Sequence, residues 1–293
     1  MEQNPLVSII VITYNSSKYV LETLESTKNQ TYQNIELIVS DDCSTDNTFE
    51  ICRSWIEQNK ERFVRTQLVT SNKNTGIAPN CNRGLKMAQG EWVKLIAGDD
   101  ILLAHCIKKN VGYTMLCENV QFLVSLCQPF KILNGELELL PTFPGSTFFN
   151  EQMSSREQLY AFSKSNFVPA PSTFLKKGTL IQLGRFDEKF PFVEDYALWV
   201  KYLSVGYKFE FMDEITVLYR LHESQYTNRS NTMINKIEFV RYKIDRELLF
   251  PYVDLKTKIR KVFQYGAKMA IFKLGNKKTI LNRILYILFV GKY

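Results

Sequence analysis

Four apolar runs in the first hundred residues have the length and β-branched character of buried strands, and segments of helical spacing separate them. The runs cover residues 6–13, 35–40, 63–70 and 92–96, and the first, LVSIIVIT, has almost no polar position. Between them, residues 18–29 place Val20, Leu21 and Leu24 on one helical face, and Leu85 and Met87 belong to a helix that ends at Gly90. Ser44, Thr45 and Asp46 are the start signals of another helix. Alternation of this kind predicts an α/β fold, a Rossmann-like, mostly parallel sheet flanked by helices with right-handed crossovers.

Two of the strands stop at paired carboxylates, Asp41-Asp42 and Asp99-Asp100. In open α/β sheets the ligand crevice lies beyond the carboxyl ends of the strands, so these acids face the place where a ligand sits. Adjacent like charges repel unless a cation holds them, and a hard divalent ion shared with substrate phosphates does so. Taken alone, either pair is also what a solvated turn capping the next helix would carry.

The chain of 293 residues has ample apolar content, 45%, for one large α/β domain or two smaller ones. Its net charge of +7 is uneven: residues 229–293 hold 15 Lys and Arg against 4 Asp and Glu, a balance of +11. That leaves 22 against 26, or −4, for residues 1–228. An acidic body with a basic attachment favours anionic surfaces. The six cysteines, Cys43, Cys52, Cys81, Cys106, Cys117 and Cys127, lack the short paired spacing of zinc or redox motifs and read as reduced thiols. The N-terminal run has neither a basic leader nor a cleavage site, which predicts a cytoplasmic protein. The longest C-terminal apolar run, residues 284–290, is far short of the ~20 residues of a spanning helix.

The alternation loosens after residue 126, and Pro129, Gly135, Pro141, Pro144 and Gly145 place a domain transition in residues 129–150. The expected division is 1–128, 129–228 and a basic helical extension, 229–293. Residues 154–163 read as a short helix and 169–173 as an ordered loop approaching a ligand. From Asp195, positions 198, 199, 202 and 203 share one helical face, so Asp195 sits over the first turn, where the helix N-terminus favours an anion. Residues 207–211 and 215–219 are expected as two strands joined by an Asp213-Glu214 turn, the second delivering Arg220, His222 and Glu223 to a strand end.

In this order the chain resembles the bacterial family 2 glycosyltransferases of GT-A fold. The matching strings are VSIIVITYN, DDCSTDNT, NTGIAPNCNRGLKMAQGEW, LIAGDD, GRFDEKFPFVEDYALWVKYL and YRLHES, together spanning most of residues 6–225. The resemblance implies a nucleoside-diphosphate donor, by family habit a UDP-sugar. Thr13, Tyr14 and Asn15 would lie at the nucleotide, with Tyr14 against the base and Asp42 accepting the imide hydrogen of a uracil or thymine. Asp99 would reach the ribose and metal region, Asp100 would ligate a Mn2+ or Mg2+ ion directly, and His222 would approach it. Asp195 would be the general base, with Glu194 as its neighbour. Cys81 stands where many members have Arg, leaving Asn82 and Arg83 to approach the donor, with Arg83 turned to another part of the helix. Ala97 stands where many have another Asp.

One well-placed base and no separate nucleophile predict a single displacement that inverts the anomeric centre. The acceptor is expected to be a hydroxyl of a cell-surface glycan, such as lipopolysaccharide or capsule, or of a lipid-linked sugar. A nucleotidyltransferase, the alternative within sugar-nucleotide chemistry, would carry a glycine-rich loop after the first strand, where this chain has Tyr14-Asn15-Ser16-Ser17. A non-catalytic sugar-nucleotide-binding protein is the other. Taken singly, Asp195 is also a helix start pairing with Lys201 or Arg185, and His222 a polar surface residue. Residues 256–292 combine Lys and Arg with bulky apolar residues, as helices lying on the inner leaflet do, and equally as helices packed on the body or in a homodimer. No nucleic-acid-binding module accompanies the charge.

Overall fold

A computed structural model describes residues 4–144, 153–222 and 232–291. Its first half follows the strand–helix alternation. Strands β1 (Val7–Thr13), β2 (Ile35–Asp41), β3 (Arg65–Thr70) and β4 (Trp92–Ala97) are parallel, and β1 lies between β2 and β4. Helices α1 (Val20–Lys28), α2 (Thr48–Asn59) and α3 (Ile77–Met87) are the crossovers. Side chains alternate across the sheet: Ile9, Val11, Leu37 and Val39 join one core cluster, and Ile10, Ile38 and Leu95 the other. Because both faces are covered, these strands read as nearly continuous apolar runs. β3 is only half-buried, as its place at the end of the strand order requires.

The second half extends the same sheet. β5 (Ile101–Leu102), α4 (Cys106–Leu116), β6 (Phe122–Leu133), β7 (Glu136–Leu139), α5 (Ser155–Phe162), β8 (Thr173–Lys176), α6 (Lys177–Gln182), α7 (Glu194–Ser204) and β9 (Glu210–Arg220) follow in order. The strand order is β3-β2-β1-β4-β8-β6-β9-β5, with β7 paired on β6. Strands from both sides of residue 128 therefore share one sheet, and β6 runs through Pro129. Gly145 and Glu223 lie outside the described residues.

One expectation changes. Asp213-Glu214 is not a turn between strands: β9 is continuous, and its register jumps from Met212 opposite Ser125 to Ile215 opposite Leu126. The two acids are extra residues bulged out of a strand whose neighbours keep their pairing. Residues 169–173 are ordered as a 3-10 turn, Ala170–Ser172, running into β8, where Ser125 Oγ donates to the Ser172 carbonyl (3.0 Å). Beyond the sheet, α8 (Ile237–Ile244), a π-helical turn (Asp245–Leu249), α9 (Leu255–Lys273) and α10 (Ile280–Phe289) form the expected helical extension. Among the described residues no helix is long and apolar enough to cross a membrane.

Candidate functional site

The ends of β1 and β2 are sewn together by short polar side chains. Thr13 Oγ1 and Ser44 Oγ donate to Asp41 Oδ1 (2.8 and 2.5 Å), and the Asn15 N–H donates to Ser44 Oγ (2.9 Å). Asn15 has φ +51°, a left-handed conformation that Asn tolerates, and its side-chain oxygen accepts the Thr45 N–H (2.8 Å). Tyr14 is left 46% exposed at the rim. Asp42 is buried and heavily engaged: it accepts from the N–H groups of Thr75 (2.9 Å) and Gly76 (2.7 Å), Thr75 Oγ1 (2.6 Å), Arg83 Nη2 (3.1 Å) and Ser71 Oγ (3.3 Å). Burial pushes its carboxyl up, but the Thr75, Gly76 and Arg83 donors outweigh it and hold the group below its ordinary value.

β4 ends beside this nest. A Cβ on Gly98 would lie 2.8 Å from Thr13 Cγ2 and 3.3 Å from Ser16 Cβ, so glycine lets the Asp99 turn close on the β1 loop. β1 separates β2 from β4, so the two acidic ends are two strand spacings apart, roughly 10 Å. The antiparallel pairing of Ile101 with Leu218 brings the end of β9 across Asp99 and Asp100. There His222 Nε2 lies 2.9 Å from Asp99 Oδ2, with both side chains partly open.

Asp100, expected as the direct metal ligand, is 1% exposed, and its Oδ1 accepts the Arg220 N–H (2.9 Å). Burial, then the Asp99 charge, push its carboxyl well above the usual range. Of the paired acids, Asp99 is the more exposed.

Helix α3 joins this face to the second acidic pair. Arg83 reaches back to Asp42, while Cys81 is buried in the core under α7. Burial pushes the Cys81 thiol up, and the charges of Glu194, Asp195 and Asp42 add to it. Asn82 does not point to open space: its amide nitrogen donates to the Phe186 carbonyl (2.9 Å) and Glu188 Oε1 (2.8 Å), fixing the segment that leads into α7. At the start of α7, Asp195 accepts from Asn166 Nδ2 (3.3 Å) and the Tyr196 N–H (2.6 Å). Lys201 is engaged by Asp187 instead (2.8 Å). Glu194 Oε2 is a buried oxygen without a hydrogen-bond donor. Burial, then Asp195, push Glu194 up to about 8; burial also raises Asp195, against the Tyr196 N–H and the Arg241 charge.

The sequence of residues 8–115 matches the profile of "Glycosyl transferase family 2". The chain is 32% identical over 219 residues to the UDP-Glc:alpha-D-GlcNAc-diphosphoundecaprenol beta-1,3-glucosyltransferase WfaP of Escherichia coli, covering 74% of this chain and 78% of WfaP. It belongs to glycosyltransferase family 2. An uncharacterized glycosyltransferase of Haemophilus influenzae is 26% identical over 296 residues, 99% of this chain and 88% of that one. Staphylococcus aureus TarS 1-349, in complex with UDP-GlcNAc, superposes with a TM-score of 0.68 at 20% identity, over 97% of this chain and 79% of TarS 1-349. Mannosyltransferase PcManGT of Pyrobaculum calidifontis, solved with GDP-Man and Mn2+, has a TM-score of 0.57 at 17% identity, over 96% of this chain and 68% of that one. The fold is therefore GT-A, and this family 2 glycosyltransferase acts on sugar-nucleotide donors.

Asp99 Oδ2 and His222 Nε2, a carboxylate and an imidazole 2.9 Å apart, are donor types that would suit a divalent ion on this glycosyltransferase. Among the described residues no group of three or more His, Cys, Asp or Glu side chains could hold a metal ion.

Two side chains of this region do not stand out in the sequence as site residues. Arg220 Nε donates to the Asp99 carbonyl (2.8 Å), Nη2 to Glu22 Oε2 (2.7 Å), and its guanidinium lies over Tyr19 and Phe130, 4.6 Å from each ring. Lys94 is fully buried in β4, donating to the Thr173 carbonyl (3.3 Å). A lysine inside an apolar strand run is the available signal for it, because a buried cation demands a partner.

Proposed function

We propose that this glycosyltransferase moves a sugar, with inversion, from a UDP-sugar to a hydroxyl of a lipid-linked or growing cell-surface glycan, with Mn2+ or Mg2+ on the donor diphosphate. The observation that carries the reading is the open Asp99–His222 pair, two strand spacings from the Asp42 nest at the same edge of the sheet. Tyr14 covers the base, and Thr13 and Asn15 shape its pocket. Asp42 already accepts five protein hydrogen bonds, so a uracil imide N–H takes the place of the longest, from Ser71 (3.3 Å). Arg83 keeps that carboxylate ionised, and Asn82 positions the catalytic segment.

Asp99 and His222 would hold the ion, and Asp100 acts from behind by fixing the Arg220 backbone. When bound, the ion offsets the negative charge that gathers on the leaving diphosphate. Asp195 accepts the proton of the attacking hydroxyl as the new bond forms. Burial and the neighbouring Asp195 charge favour the protonated form of Glu194, which leaves Asp195 as the carboxylate of the pair that takes the proton.

Residues 1–128 take the donor, residues 129–228 supply the acceptor site and the base, and residues 229–293 form the basic extension. The acceptor of WfaP, named as a diphosphoundecaprenol-linked sugar, supports a lipid-linked acceptor here. Exposed Ile259, Phe263, Ile284 and Leu288 on α9 and α10, in a segment of net charge +11, support contact with an anionic inner-leaflet surface. The test is a panel of nucleotide-sugars with Mn2+, with and without membrane lipid extract, reading release of nucleoside diphosphate. Metal-dependent release from a UDP-sugar, raised by lipid extract and lost in Asp99→Asn, is expected; release from no member of the panel would refute the reading.

A further inference from the structure

Behind the base, a cavity of about 230 Å³ lies between the end of α5, helix α7 and the C-terminal helices α8 and α9. That is several times the roughly 30 Å³ of one water. Four cations line it, Lys164, Arg241, Lys261 and Lys268, against two acids, Glu238 and Asp245. Lys261 is paired with Asp245 (2.6 Å) and Lys268 with Glu238 (2.7 Å), which neutralises both acids. Arg241 meets Glu238 only at 3.5 Å and lies over the Tyr196 ring (5.1 Å); Lys164 lies over Tyr160 (4.5 Å). The lining is therefore two positive charges in excess.

The cavity is tied to the reaction centre. Tyr196 and Ser165 of its wall are the chain neighbours of Asp195 and Asn166, which are hydrogen-bonded to each other (3.3 Å). The Arg241 charge acts on the Asp195 carboxyl from the cavity side. Val290, at the end of the apolar α10, completes the rim.

We infer that this cavity binds the phosphate or diphosphate of the acceptor, with Arg241 and Lys164 as its ligands, and so presents the acceptor hydroxyl to Asp195. Guanidinium recognises phosphate oxygens in pairs, and the excess charge is matched by a diphosphate. The inference rests on the transferase reading, with Asp195 as base. The phosphate could belong to a prenyl diphosphate or to a polymer phosphodiester, and the experiment separates them.

The whole chain is first saturated with UDP and Mn2+, which occupies the donor site, and then titrated calorimetrically with geranyl diphosphate, inorganic pyrophosphate and a glycerophosphodiester oligomer. Binding of any of the three to wild type, weakened about tenfold in Arg241→Gln and in Lys164→Gln and less in Arg241→Lys, is expected. Tightest binding of geranyl diphosphate identifies a lipid carrier, and tightest binding of the oligomer a polymer. Equal affinity in wild type and variants, or no binding by wild type at millimolar concentration, overturns the inference. Lys164 is exposed, so its variant remains informative if Arg241→Gln does not fold. Failure of UDP itself to bind would instead count against the donor reading, and the titrations without UDP still decide this one.

Discussion

His222 Nε2 and Asp99 Oδ2 meet at 2.9 Å although 123 residues separate them, because β5 and β9 pair antiparallel and bring the end of one strand across the turn after β4. The same pairing turns Asp100 inward to the Arg220 N–H. Neighbours in the chain thus take opposite environments, one open and one buried.

From this arrangement, Asp99→Asn and His222→Ala should each lose about 100-fold or more in transfer, the loss expected when several kcal/mol of charge stabilisation go. Mn2+ titration followed by electron paramagnetic resonance should show weakened binding in both. Asp100→Asn should keep the ion, since an amide oxygen can still accept the Arg220 N–H. The reverse pattern, with Asp100→Asn losing Mn2+ and Asp99→Asn keeping it, would restore Asp100 as the ligand.

Asp195→Asn should bind donor as wild type does while transfer falls between about 100- and 10,000-fold, the usual contribution of a general base. Isothermal titration with UDP, run beside a transfer assay, separates the two effects. Comparable loss of both would assign Asp195 to donor binding instead.

Glu194 gives a stability signature with a definite sign. Its carboxyl is raised from 4.5 to about 8, so between these values the folded state binds the extra proton. Stability from this group is complete below pH 4.5 and is lost as pH rises through about 8. Glu194→Gln cannot ionise and should remove that fall, so its melting temperature should exceed that of wild type by more at pH 9 than at pH 6. Parallel melting curves across this range would contradict the assignment.

Gly98→Ala places a methyl 2.8 Å from Thr13 Cγ2 and 3.3 Å from Ser16 Cβ. The turn carrying Asp99 must shift to make room, at a cost of about 1–3 kcal/mol. Denaturant unfolding should report the lost stability, and initial rates a higher KM for the donor. Unchanged KM with lowered stability would confine Gly98 to a packing role.

Much of the first half is legible in the sequence because burial on both faces of a parallel sheet leaves near-continuous apolar runs, and those runs locate the strand ends. The bulge at Asp213-Glu214 is not legible, for a related reason: two charged residues in a row look like a break, whereas the paired neighbours on β6 hold β9 together and extrude them. Asp42 is visible as an acid at a strand end, but its five donors are not, since Thr75, Gly76 and Arg83 arrive from the next strand–helix unit.

What the sequence determined by itself is local: where strands stop, which carboxylates stand there, and that the C-terminal part carries basic helices, because hydrophobic period and charge are written along the chain. Tertiary structure decided that Asp100 is buried while Asp99 stays partly exposed, that Glu194 Oε2 is enclosed without a hydrogen-bond donor, and that α8 and α9 close a cationic cavity against Tyr196 of α7. Those outcomes depend on the register of strands more than a hundred residues apart and on helices packing from the far end of the chain.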